Sequence, residues 1–250
     1  MVWAMRKLFL ALVRCLVLFS VCLSARGIVN GSSVSNDDFS ARYPWMVVVV
    51  HQTNGGICGG VLISPTWVLT AAHCTASQKF VVYGSPDRTD GQRVEVVRAI
   101  RHPRHNKPSG QNDVGLLQLA EPLKVPTVSI AKPADELSWL KSAQPATILG
   151  WGRLPSRTLP DRLHQFAITS VERRARGSLL VINAPGGPCH RDSGGPLLIA
   201  DESGSSKLLA IISATEGNLC SKGGGTAYYT RMSTVRPFIV EHVKDLPQAQ

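Results

Sequence analysis

Acidic residues are scarce in this 250-residue chain: 17 Asp and Glu stand against 27 Lys and Arg, for a formal net charge of +10. The excess is not arranged as a basic stripe interleaved with aromatics, which make up only 6% of residues. Nucleic-acid binding therefore has nothing but net charge behind it. Cys and His spacing of the metal-binding type is missing too, so no zinc and no other cofactor is expected. There is no low-complexity tract and no apolar run of ordinary membrane-spanning length. The nearest candidate, Leu8 to Leu23, is short, is broken by Arg14 and follows Arg6 and Lys7. That length and charge order read as a secretory signal, with a retained anchor helix as the rival. Small residues allow cleavage after Ser24, Ala25 or Gly27, so residues 1–27 are assigned to the signal, together with any very short pro-segment. Removing them takes away Arg6, Lys7, Arg14 and Arg26 and leaves 23 basic against 17 acidic side chains. So modest an excess suits a soluble basic surface better than a site for an acidic polymer.

What the chain does contain is 44% hydrophobic residues, enough for a substantial core in one or two domains. The run Met46–Val50 is too β-branched for a good helix and reads as a buried strand. Asn54-Gly55-Gly56 is a hairpin signal, followed by strand-like Gly60–Ser64 and Trp67–Thr70. Further short runs are Phe80–Tyr83, Gln92–His102 and Val114–Leu119, and the Pro-punctuated stretch Pro122 to Pro133 reads as a linker. A second series follows: Ala146–Trp151, His164–Val171, Leu179–Ile182, Leu197–Ala200, Leu208–Ser213 and Thr226–Met232. Many short strands separated by turns predict an all-β protein, and the pattern does not choose between barrels and sandwiches. One helix is expected after Arg236, with Pro237 in its first turn and Ile239, Val243 and Leu246 on a core-facing side.

The chemistry centres on Cys189-His190-Arg191-Asp192-Ser193-Gly194-Gly195-Pro196. A serine among glycines is, by itself, a turn. A nucleophilic serine needs a base to take its proton and a third group to orient that base. Upstream lie Thr70-Ala71-Ala72-His73-Cys74 and Asn112-Asp113-Val114-Gly115-Leu116-Leu117, in the chain order His, Asp, Ser. An imidazole titrates near neutral pH and can both take and return a proton, so His73 is the candidate base. The three motifs in this order resemble the chymotrypsin/trypsin-like secreted serine proteases. Ile28-Val29-Asn30-Gly31, Gly150-Trp151-Gly152 and Tyr229-Thr230-Arg231 extend the resemblance over nearly all of residues 28–246.

The resemblance implies two six-stranded antiparallel β-barrels with the active site between them and a C-terminal helix. The first barrel would take about 28–125, the second about 131–234, and the helix about 237–246. It implies a serine endopeptidase with His73, Asp113 and Ser193 as catalytic residues and Ser213 supporting the aspartate. Cys15 and Cys22 fall in the signal, and the remaining Cys58, Cys74, Cys189 and Cys220 allow three pairings. The resemblance selects Cys58–Cys74 and Cys189–Cys220. It implies an ion pair between Asp192 and a freed Ile28 amine, and an oxyanion hole from the N–H groups of Arg191 and Ser193. Arg191 stands where the family has glycine, which questions whether that hole forms. The pocket positions are Gly187, Ser213, Thr215 and Ala227. Without an aspartate at Gly187, and with side chains on the walls, small or medium apolar residues are expected in place of Arg or Lys. No family-type calcium loop is legible between Tyr83 and Val94. The implied partners are protein or peptide substrates and a protein protease inhibitor, for a monomer that is extracellular, or periplasmic in a bacterium, and free of the membrane once the signal is removed. Asn30-Gly31-Ser32 is a glycosylation sequon where the source glycosylates secreted proteins. The competing reading is an inactive protease-fold binding protein with a basic surface, a reading that Arg191 favours and the intact trio opposes.

Overall fold

The computed structural model describes residues 28–247 apart from 52–54, 143, 170–171, 202, 217–219 and 221–222. The expected signal lies outside the described residues, as does Asn54 of the hairpin motif. Strand β1 (Ser32–Ser33) and helix α1 (Asn36–Arg42) come first. Ser35 caps α1 by accepting from the Asp38 N–H at 3.0 Å, with Asp37 and Asp38 in the first turn and Arg42 in the last. Each of these charges complements the helix dipole.

Six strands then close an antiparallel barrel in the order β2-β3-β4-β7-β6-β5. They are β2 (Met46–His51), β3 (Ile57–Ser64), β4 (Trp67–Thr70), β5 (Gln78–Tyr83), β6 (Gln92–Arg101) and β7 (Gly115–Leu119). β3 and β4 are buried along their whole length, which is why they read as unbroken apolar runs without alternation. Their outer faces are covered by the rest of the molecule. One continuous apolar cluster joins Val47, Val61, Leu69 and Leu117 to Leu149, Trp151, Leu198 and Ile211 of the second half.

The second half contains β8 (Ser129–Ile130), helix α2 (Pro133–Lys141), β9 (Ala146–Gly150), β10 (His164–Ile168), β11 (Glu172–Arg176), β12 (Leu179–Ala184), β13 (Pro196–Ala200), β14 (Ser206–Thr215) and β15 (Gly225–Arg231). With β1 these strands form a nine-stranded sheet, ordered β1-β10-β9-β13-β14-β15-β12-β11, with β8 parallel to β14. Among the described residues no ladder joins the β11 end back to the β1 end, so this sheet differs from the closed six-stranded barrel of the first half. Residues 28–33 sit with this second half: β1 pairs β10, and Ile28 is buried in the second sheet's own apolar cluster.

The C-terminal helix α3 spans Met232–His242, not 237–246, and Pro237 lies inside it. The start is set by packing. Met232, Val235 and Ile239 are fully buried against the first-barrel cluster, and Arg231 just ahead of them is held by the buried Glu136 carboxylate of α2. Ser233 bonds the same carboxylate at 2.5 Å. These anchors outweigh the backbone hydrogen bond that Pro237 removes. Ile239 and Val243 are buried and Leu246 packs against the same cluster, but Val243 is the C-cap and Leu246 lies beyond the helix. The chain also has α1 and α2, which the expectation of a single helix missed. The Pro122–Pro133 stretch ends by supplying β8 and the first residue of α2, where proline is at home because that N–H needs no intrahelical partner.

Candidate active site

His73 sits on a one-turn 3-10 helix, Ala72–Cys74, at the end of β4. The next residue, Cys74, is bridged to Cys58 on β3. Asp113 stands just ahead of β7, after Asn112 at φ +55°, a left-handed angle that asparagine tolerates better than most residues. That turn is pinned from the second half, where Ser178 Oγ accepts the Asn112 N–H at 2.7 Å. The buried Asp113 carboxylate is met by donors on both oxygens. Oδ2 lies 2.8 Å from His73 Nδ1 and accepts the Ser213 hydroxyl at 2.7 Å. Oδ1 accepts the backbone N–H of His73 at 3.1 Å. Burial by itself would raise the Asp113 pKa, but the hydrogen bonds from His73 and Ser213 and the His73 charge hold it below its ordinary value. Ser213 reaches this point because the β14–β15 ladder slips between Ile212 and Ala214, a bulge that re-aims the side chain between them. Thr230 Oγ1 donates to the Asp113 backbone carbonyl at 2.9 Å. Nothing in the Tyr229-Thr230-Arg231 stretch by itself signals this contact, which joins residues 117 positions apart.

Ser193 is carried by the loop ahead of β13, and that loop is stitched to the first barrel. The Gly59 N–H of β3 donates to the Ser193 carbonyl at 2.8 Å. A Cβ on Gly59 would stand 2.8 Å from the Gly195 backbone nitrogen, so only glycine lets the two backbones approach this closely. Cys74 Sγ lies 3.9 Å from the same Ser193 carbonyl, which brings the His73 and Ser193 loops side by side. The Gly194 N–H is tied to the Ile212 carbonyl at 2.8 Å. Among the described residues, by contrast, the N–H groups of Arg191 and Ser193 have no protein acceptor. Arg191 takes φ +83°. Arginine lacks glycine's backbone freedom. The loop imposes the left-handed angle on it nonetheless, at a strain of about 1–2 kcal/mol.

Asp192 is fully buried. Its oxygens accept the N–H groups of Gly152 at 2.6 Å and Cys189 at 2.8 Å. A Cβ on Gly150 or Gly152 would fall within 2.3 Å of this carboxylate, which is the steric reason for the Gly-Trp-Gly segment. Burial pushes the Asp192 pKa up to about 7, against the pull of the two backbone donors. Ile28 is buried beneath the same half, and Val29 exchanges backbone hydrogen bonds with Gly187 at 2.9 and 3.2 Å. Cys189 is bridged to Cys220. Thr215 on β14 faces Ala227 on β15 directly across the ladder.

One group has the donor types of a metal site: His51, Cys58 and Cys74 place their ligand atoms within 4.8 Å of one another. Both sulfurs are spent in the Cys58–Cys74 bridge and have no thiolate to offer. Burial, with the nearby Arg191 and His73 charges, lowers the His51 pKa. None of the helices among the described residues is long and apolar enough to cross a membrane.

A model of the Trypsin family matches residues 28–239. Chymotrypsin-like elastase family member 3B of Homo sapiens is 30% identical over 245 residues, covering 86% of this chain and 88% of that protein. Serine proteinase stubble of Drosophila melanogaster is 31% identical over 252 residues, covering 87% of this chain but only 31% of that longer protein. The family match runs from the buried Ile28 into α3 and takes in every residue of the site described above, and the chain accordingly belongs to the Trypsin family of serine proteases.

Proposed function

We propose that the protein is a secreted serine endopeptidase that works through an acyl-enzyme and cuts after small or medium apolar residues. The observation that carries this reading is the buried Asp113 carboxylate bonded to His73 Nδ1 beside the Ser193 loop. In this mechanism His73 Nε2 takes the Ser193 proton as Oγ attacks the peptide carbonyl. Asp113 holds the proton on Nδ1 and stabilises the imidazolium that forms. The free N–H groups of Arg191 and Ser193 receive the oxyanion, and His73 returns the proton to the leaving amine. Water then repeats the sequence on the acyl-enzyme. Protein or peptide substrates and protein inhibitors are the partners that fit a monomeric enzyme of this kind. A fluorophosphonate probe is expected to label the wild-type protein once per chain and to leave Ser193→Ala unlabelled. Labelling elsewhere, or none on folded wild type, would overturn the reading.

Specificity follows from the pocket walls. Thr215 and Ala227, paired across the ladder, would carry side chains where glycines leave space, and Gly187 would add no charge. A peptide-library digest is expected to be dominated by cuts after Ala and Val, and a majority of cuts after Arg or Lys would contradict it. Gly187→Asp alone is expected to leave this preference in place, because the narrowed walls remain.

An Arg191 N–H with no protein acceptor among the described residues supports an oxyanion hole reached through strained backbone. Arg191→Gly is therefore expected to raise unfolding stability by about 1 kcal/mol and to leave kcat within about threefold of wild type. A large rise in kcat would mean that the arginine N–H does not serve the oxyanion.

A further inference from the structure

Asp113 is faced by two imidazoles, and only one of them belongs to the mechanism above. His105 Nε2 lies 3.5 Å from Asp113 Oδ1, with the His105 side chain 7% exposed and that of Asp113 4%. His105 comes from the loop between β6 and β7, where its N–H bonds the His102 carbonyl at 3.0 Å. The charged and titratable groups that face it are Asp113, Arg101 and Lys107 from the same stretch of chain and His73 from the 3-10 helix. Nothing in the sequence pattern singled this histidine out. It became visible only when the loop folded back onto the aspartate.

We propose that His105 is a positioning residue for Asp113: neutral, it steadies Oδ1, and protonated, it withdraws the carboxylate's charge from His73 and silences the site in acid. The proposal rests on the serine-protease reading. In the reaction His73 becomes an imidazolium stabilised by Asp113. A second cation 3.5 Å from the other oxygen competes for that charge and repels the imidazolium. Burial first, then the charges of Arg101, His73 and Lys107, lower the His105 pKa from 6.5, and Asp113 opposes them only in part. His105 is therefore neutral at neutral pH and takes its proton only in the acid range.

Two measurements test this. In the first, kcat/KM is followed against pH, with active sites counted by fluorophosphonate. The logarithm of wild-type activity is expected to steepen from a slope of about 1 to about 2 at the acid end, since two protonations then inactivate. His105→Phe is expected to keep a slope of about 1 throughout and to lose about threefold at pH 8, because a 3.5 Å contact that makes no hydrogen bond steadies Oδ1 only weakly. His105→Gln is expected to keep the single slope and to regain part of that loss. Wild-type slope and rate in both variants would reduce His105 to packing. In the second, the imidazoles of the Ser193→Ala protein are titrated by NMR with and without Asp113→Asn, which needs no activity. The His105 titration is expected to move to lower pH when the carboxylate is gone. An unmoved His105 titration overturns the proposal whatever the kinetics show, whereas failure of the fluorophosphonate to label wild type overturns the protease reading and leaves this titration to decide on His105.

Discussion

Replacing His73, Asp113 or Ser193 by alanine is expected to lower kcat by about 10⁴-fold or more in each case, and any pair of these changes is expected to cost little beyond the worse of the two. In the proposed mechanism the three act as one unit: Ser193 gives its proton to His73, and Asp113 orients His73 and stabilises the imidazolium, so losing any one disables the same step. Asp113→Asn should be nearly as damaging as alanine. Both carboxylate oxygens face donors: His73 Nδ1 and Ser213 Oγ at Oδ2, and the His73 backbone N–H at Oδ1. An amide has only one acceptor atom, so its NH₂ must point at a donor whichever way it turns. If it takes the Oδ2 side, it forces the imidazole into the tautomer that carries its proton on Nε2, where the serine proton has to go. Single-turnover kinetics with a small chromogenic ester would check this series. Activity of Asp113→Asn within tenfold of wild type would show that the carboxylate is structural.

A protein that begins at Ile28 is expected to be at least about 100-fold more active than the same protein beginning at Gly27 or Arg26. Asp192 is fully buried, with two backbone donors and, among the described residues, no side-chain cation. Ile28 is already seated in the second-half core, and Val29 is locked to Gly187. Freeing the Ile28 amine would supply the missing charge, and one additional residue would displace the amine by up to about 3.5 Å of chain. Ala25 and Gly27 suit the small-residue positions of a signal-peptidase site, so export itself would release Ile28. The same pairing has a signature in stability against pH. While Ile28 remains in peptide linkage, the folded Asp192 pKa of about 7 stands above its ordinary 3.8. A raised carboxyl contributes stability that is complete below the lower value and lost as pH rises through the higher one. The precursor should thus lose on the order of 4 kcal/mol between about pH 4 and about pH 7 from this group. The chain beginning at Ile28 should not show that loss, because its amine stabilises the ionised carboxylate. Denaturant unfolding of both forms at pH 5 and pH 8, with N-terminal sequencing of the active secreted form, tests the whole chain of reasoning. Equal activity from both starting residues would defeat it.

What the amino-acid sequence determined by itself was whatever depends on short stretches of chain. β-branched runs such as Met46–Val50 and turn residues between them specify strands locally, and most strand positions were legible to within a residue or two. The proposed catalytic residues were also named from the chain, because the order of the His73, Asp113 and Ser193 motifs is written along it. Even two missed helices carry local signals: Ser35 three residues before Asp38, and Pro133 two before Asp135. Only the tertiary structure decided features that arise where distant segments meet. The helix α3 begins at Met232 because buried Glu136, 95 positions from Arg231, holds its entrance. Ser213 turns to Asp113 because a bulge between two long strands turns it. The strand order of the second sheet, the approach of His105 to Asp113 and the left-handed backbone at Arg191 are of the same kind. Each is a compromise that neighbouring segments impose on residues whose local preferences point elsewhere, and the balance is struck by packing across the core.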